Sequence, residues 1–109
     1  MEYCPDRWYI LKITEIETGK IHYRVFGTWA GGYLGSDAWK MNSGITEVTE
    51  LNSCYEFLGS SGSTYLVHKA TYGTTGYGSM VLKGFMDKAT LTEIEIMPEE
   101  TDWLNLKYE

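Results

Sequence analysis

Residues Arg7–Trp29 read RWYILKITEI, then ETGK, then IHYRVFGTW, and this stretch decides the fold class. Arg7–Ile16 is dense in β-branched and aromatic side chains, which fit a pleated, half-buried surface. Glu17-Thr18-Gly19-Lys20 has turn chemistry, with Gly19 free to take a positive φ. Ile21–Trp29 then alternates Ile21, Tyr23, Val25, Gly27 and Trp29 against His22, Arg24, Phe26 and Thr28. A period of two on both sides of a short turn predicts an N-terminal β-hairpin.

Downstream the β pattern continues in shorter pieces. Ala30–Ala38 is a Gly-rich loop and Trp39–Met41 a short strand. In Ile45–Leu51, Ile45, Glu47, Thr49 and Leu51 alternate with Thr46, Val48 and Glu50. Cys54–Leu58 and Thr64–Ala70 flank the turn Gly59–Ser63 (GSSGS), predicting a second hairpin. After a second Gly/Tyr loop, Tyr72–Gly78, the period changes. Val81, Leu82, Phe85, Met86 and Ala89 share one helical face, so a helix is expected over Ser79–Ala89 with Ser79 as N-cap, although Gly84 weakens it. Leu91–Met97 reads as a further strand. Pro98-Glu99-Glu100 has the marks of a helical first turn, and Trp103, Leu104, Leu106 and Tyr108 predict an end that packs. The expected fold is α+β: a mostly antiparallel sheet of five to seven strands, with one main helix late in the chain covering one face.

Composition bounds the rest. The 109 residues suit a single domain over 1–109. An aromatic fraction of 15%, with nine Tyr and four Trp, argues against disorder. Residues 1–10 lack a basic start followed by an apolar run, and no stretch is apolar for long enough to span a bilayer. The expectation is a cytoplasmic chain, away from membranes, whose two cysteines are free thiols. The net charge of −6 is unevenly spread. Glu93, Glu95, Glu99, Glu100, Asp102 and Glu109 face only Lys107 within residues 93–109, a net of −5, which leaves −1 for the other 92 residues. Such an acidic end repels phosphate backbones and argues against direct nucleic-acid binding.

No motif carries recognisable catalysis. Gly73-x-x-Gly76-x-Gly78 lacks the Lys-Ser/Thr of a phosphate loop and reads as turn geometry. Ser60, Ser61 and Ser63 sit outside any G-x-S-x-G elbow. Cys54 with His68, or Cys4 with His22, would form a dyad only if the fold brought them together. Glu93 and Glu95 share one strand face, which for alternating glutamates is usually the wet side of a sheet. Two cysteines and two isolated histidines do not make the ligand set of a structural metal, and no cofactor is expected. The chain therefore reads as a non-enzyme. Candidate contact residues are Tyr33, Tyr72 and Tyr77 on the Gly-rich loops, where aromatics offer large area at low entropy cost, together with Glu93, Glu95, Glu99, Glu100 and Asp102. Trp29 and Trp39, which bracket the first loop, read as core.

Two segments, Trp39–Ile45 (WKMNSGI) and Tyr55–Gly73 (YEFLGSSGSTYLVHKATYG), resemble small accessory proteins of bacteriophages and prophages. That resemblance implies a setting inside a bacterial host cell and carries over no activity or site residue. The functional expectation is a non-catalytic binding protein of phage type, an anti-CRISPR-like inhibitor of a host or defence protein, acting through an acidic and aromatic surface. The expected partner is a protein, a basic one that itself binds nucleic acid. The alternative is a small-ligand or nucleotide binder that uses the Gly/Tyr loops. A single-strand nucleic-acid binder would have to gather Arg7, Lys12, Lys20 and Arg24 on one face.

Overall fold

The structure, a computed structural model, describes residues 1–31 and 37–108. The N-terminal hairpin forms as its alternation demands, β2 (Arg7–Glu15) antiparallel to β3 (Ile21–Trp29), with Gly19 at φ 74° in the turn. Both faces of this hairpin are apolar, and both are covered. Trp8 and Ile10 of β2, with Tyr23 and Val25 of β3, point one way; Leu11, Ile13 and Phe26 point the other. A sheet with two apolar faces needs two covering layers, and this requirement sets the architecture.

The first layer is a second sheet. Around the hairpin, β4 (Ala38–Met41) pairs with β3 and β8 (Thr92–Ile96) with β2, giving the order β4-β3-β2-β8. The opposing sheet has the order β1-β7-β6-β5, from β1 (Glu2–Tyr3), β5 (Ile45–Leu51), β6 (Cys54–Gly59) and β7 (Thr64–His68). Between the sheets lies an aromatic core. Trp8 packs against Tyr55, Phe57, Tyr72 and Trp103, with ring centroids 4.7–6.3 Å apart. Its indole N–H donates to the His68 carbonyl at 2.8 Å, so the buried ring leaves no orphan donor. The second layer is the helix α1 (Gly76–Lys88), which lays Leu82, Val81, Phe85 and Met86 over Leu11, Ile13 and Phe26.

Several expectations change. The described residues form eight strands rather than five to seven, in two sheets rather than one, and the pairing of β1 with β7 is parallel. The helix starts three residues early because Thr75, not Ser79, is the N-cap; its hydroxyl accepts from the Gly78 amide at 3.0 Å. Gly78 is needed there: a Cβ would stand 2.1 Å from the Thr74 hydroxyl oxygen and 2.5 Å from a methyl carbon of Thr28. A bulge between Ile45 and Glu47 breaks the alternation of β5, so Val48 joins Ile45 in the core while Leu51 is exposed. Strand β7 ends at His68 and passes into a 3-10 turn, Lys69–Thr71. Pro98-Glu99-Glu100 starts no helix; the Pro98 carbonyl instead accepts from the Thr101 amide in a tight turn. Beyond it Trp103 is 2% exposed, with Leu106 and Tyr108 packed on the same core, whereas Leu104 points to solvent. Trp39 is on the surface as well, and Trp29 is half-buried.

Candidate functional site

The acidic end is built on a fixed scaffold. Ile94 of β8 packs beneath the helix, so its neighbours Glu93 and Glu95 take the opposite side of the strand, where both are exposed. They lie across from Thr14 and Lys12 of β2. Met97 then closes the ladder by donating its amide to the Ile10 carbonyl at 2.9 Å. The chain turns at Pro98, leaving Glu99 and Glu100 in solvent. Asp102 has a different role: its carboxylate accepts from the Leu104 amide at 3.2 Å and from the Asn105 side-chain amide at 2.6 Å, tying the turn that seats Trp103. The Tyr108 hydroxyl bonds back to the Trp103 carbonyl. Among the described residues no Lys or Arg reaches ion-pair distance of any of these five acids; the one pair found is Lys69–Glu50. Four exposed carboxylates therefore follow one another along a ledge formed by β8 and the turn after it, pinned at Met97 and Trp103.

The aromatic candidates separate. Tyr33 lies outside the described residues. Tyr72 is no surface side chain: its ring packs between Trp8, Tyr9 and Trp103, and its hydroxyl donates to the Met97 carbonyl while accepting from the Ile10 amide. Burial pushes that hydroxyl up to about 12, so it stays a proton donor. Tyr72 thus ties the ledge to the hairpin. Tyr77, in the first turn of α1, is exposed.

The possible dyads also resolve. Cys54 and His68 are cross-strand partners on β6 and β7, on the outer face of their sheet. His68 Nδ1 accepts from the Ala70 amide at 3.1 Å, and the Cys54 sulfur stands 3.9 Å from the Ser53 hydroxyl. Cys4 and His22 sit at opposite ends of β3, since the Cys4 carbonyl accepts from the Trp29 indole while His22 pairs with Ile13; the intervening strand spans about 20 Å. Both cysteines are free. Among the described residues no three His, Cys, Asp or Glu side chains converge as a metal site.

One feature escapes the sequence. Beside the helix, a groove of about 470 Å³ is lined by Ile13, Arg24, Trp39, Met41, Phe85 and Ile94, with His22 and Thr92 at its end. Arg24 donates from Nε to His22 Nε2 at 3.2 Å and from its terminal nitrogen to the Met41 sulfur at 3.8 Å. Burial, and then the Arg24 charge, lower the His22 pKa, keeping the imidazole neutral and able to accept. The alternation of β3 puts His22 and Arg24 on the face of Phe26, but only the end of the helix decides that they stay partly open. Compared with known proteins, the chain matches no family model, no curated protein and no solved structure.

Proposed function

We propose that this chain is a non-catalytic binding protein whose acidic ledge, Glu93, Glu95, Glu99 and Glu100, engages a basic protein surface. One observation carries the reading: the carboxylates are exposed and unpaired, while the segment bearing them is pinned by Met97, Trp103 and Tyr108. A solvated tail needs no such anchoring, and a pinned, predominantly acidic patch accelerates encounter with a complementary partner. The basic residues support the same reading. Lys12 projects from the face of β2 opposite to Arg7, and Arg24 lies on the Arg7 side, so no continuous cationic track forms for a nucleic acid. The phage-like segments favour a bacterial host or defence protein as the partner, with inhibition by occupation of its nucleic-acid site.

The test is direct. A partner is identified by affinity capture from bacterial lysate, and the capture is repeated with the triple variant Glu95→Lys, Glu99→Lys, Glu100→Lys. Exposed charges contribute little to stability, so the variant should keep its circular dichroism spectrum and lose most of the captured partner. Equal capture by both proteins would reduce the ledge to a solubility device.

A further inference from the structure

The two segments singled out at the sequence level, Trp39–Ile45 and the Gly59–Ser63 turn, meet in space. The Ser60 amide donates to the Gly44 carbonyl at 2.9 Å, the Ser61 amide donates to the Ser43 hydroxyl oxygen at 2.9 Å, and the Ser60 hydroxyl donates to the same oxygen at 3.0 Å. Where they meet, a pocket of about 300 Å³ opens between the two sheets, with Arg24, Lys40, Asn42, Ser43, Ser61 and Ser63 in its walls. We propose that this pocket binds a phosphate group.

Tyr3, Met41 and Tyr65 complete the walls, and the remaining lining residues all carry donors. Ser43 already accepts two hydrogen bonds at its oxygen, so its own proton remains to be given. Lys40 sits over the Tyr3 ring at 4.9 Å, and among the described residues neither it nor Arg24 has a carboxylate partner. Arg24 spends its donors on an imidazole nitrogen and a thioether sulfur, both weaker partners for a guanidinium than an oxyanion. Among the described residues no acid lines the pocket, although the chain carries −6 overall.

A second observation is independent of charge. Asn42 is 4% exposed, and its orientation is settled because Oδ1 accepts from the Val25 amide at 2.9 Å. Its Nδ2 is nevertheless buried with no partner. A buried amide without an acceptor is costly, and this one belongs to a residue of the pocket wall, next to the place a Cβ on Gly59 would fill.

Two cations with several hydroxyl donors suit a dianion better than a monocarboxylate, and the volume holds a phosphoryl group with room beside it. The body of a phosphomonoester would leave the pocket past Arg24 and Met41, which the pocket shares with the groove beside Trp39.

The probes are inorganic phosphate and phenyl phosphate, titrated at matched ionic strength against chloride. Heteronuclear NMR of the unmodified protein should show saturable shifts at the Asn42 side-chain amide and at the Ser61 and Ser63 amides. Phenyl phosphate should in addition quench Trp39. Lys40→Met and Arg24→Met should each weaken phosphate binding about tenfold or more. If phosphate moves the Asn42 amide no more than chloride does, or if both variants bind as the parent does, the assignment is overturned. Saturation by inorganic phosphate without any gain from the phenyl group would place a free phosphate, rather than a phosphomonoester, in the pocket. None of these readouts depends on the acidic ledge.

Discussion

At the residue scale, Gly78 and Gly84 of α1 are alike in residue type and opposite in consequence. Gly78 is wedged against Thr28 and Thr74, whereas a Cβ on Gly84 would meet nothing within 4 Å. Gly78→Ala should therefore destabilise the protein by about 1–3 kcal/mol through overpacking. Gly84→Ala should stabilise it by about 0.5–1 kcal/mol through helix propensity. Urea midpoints of the two variants check both signs. His22 gives a pH dependence. Its folded-state pKa lies below the ordinary 6.5, chiefly through burial and then through Arg24, so the folded chain takes up this proton less readily than the unfolded chain. Its effect on stability is absent above the unfolded value. A penalty grows as pH falls through 6.5 and is complete below the folded value. Between pH 7.5 and 5 the parent should lose more stability than His22→Gln; equal loss would show that His22 is neutral to the pH profile. The thiols are a further check. Cys4 is exposed and Cys54 half-buried, so titration of the native protein with a thiol reagent should show one fast and one slower group, and two equivalent groups after denaturation.

At the element scale, the sharpest contrast lies in the turn after Pro98. Trp103 and Leu104 are neighbours in sequence, yet one closes the inter-sheet core and the other faces water. Trp103→Ala should cost about 3–5 kcal/mol, and Leu104→Ala within about 0.5 kcal/mol of nothing. Phe85, only half-buried between Trp39 and the sheet, should cost about 2 kcal/mol on truncation to Ala, below the range for a fully buried ring. These elements also show what was readable beforehand. β3 and β5 keep their expected bounds because periodicity and turn residues are local signals. The helix face was readable for the same reason. Its start was not, because Thr75 and Ser79 are both sound caps and only the close approach of Gly78 to Thr28 selects between them. β1 is two residues long and pairs in parallel with a strand some sixty positions away, and no local pattern encodes such a partner. The division into two sheets was hidden likewise: the two apolar faces of β2 state that two layers exist, not which strands supply them.

At the scale of the whole molecule, a twice-covered hairpin leaves the function to its borders. One border is the acidic ledge. Its four exposed glutamates were readable as a charge run, whereas its rigidity rests on Tyr72, which the sequence offered as a contact residue and the fold uses as a strut. The other border is the seam between the sheets, where Arg24, Lys40 and Asn42 gather from positions the sequence gives no reason to connect. Among the described residues no helix is long and apolar enough to cross a membrane. The central claim is that the ledge steers association with a basic partner. The most direct test is the association rate with the captured partner, measured by stopped flow across a salt series for the parent and for the Glu95→Lys, Glu99→Lys, Glu100→Lys variant. The parent rate should be several-fold the higher at low salt, with the two rates converging as salt screens the ledge. Equal rates and equal salt slopes for the two proteins would contradict the account.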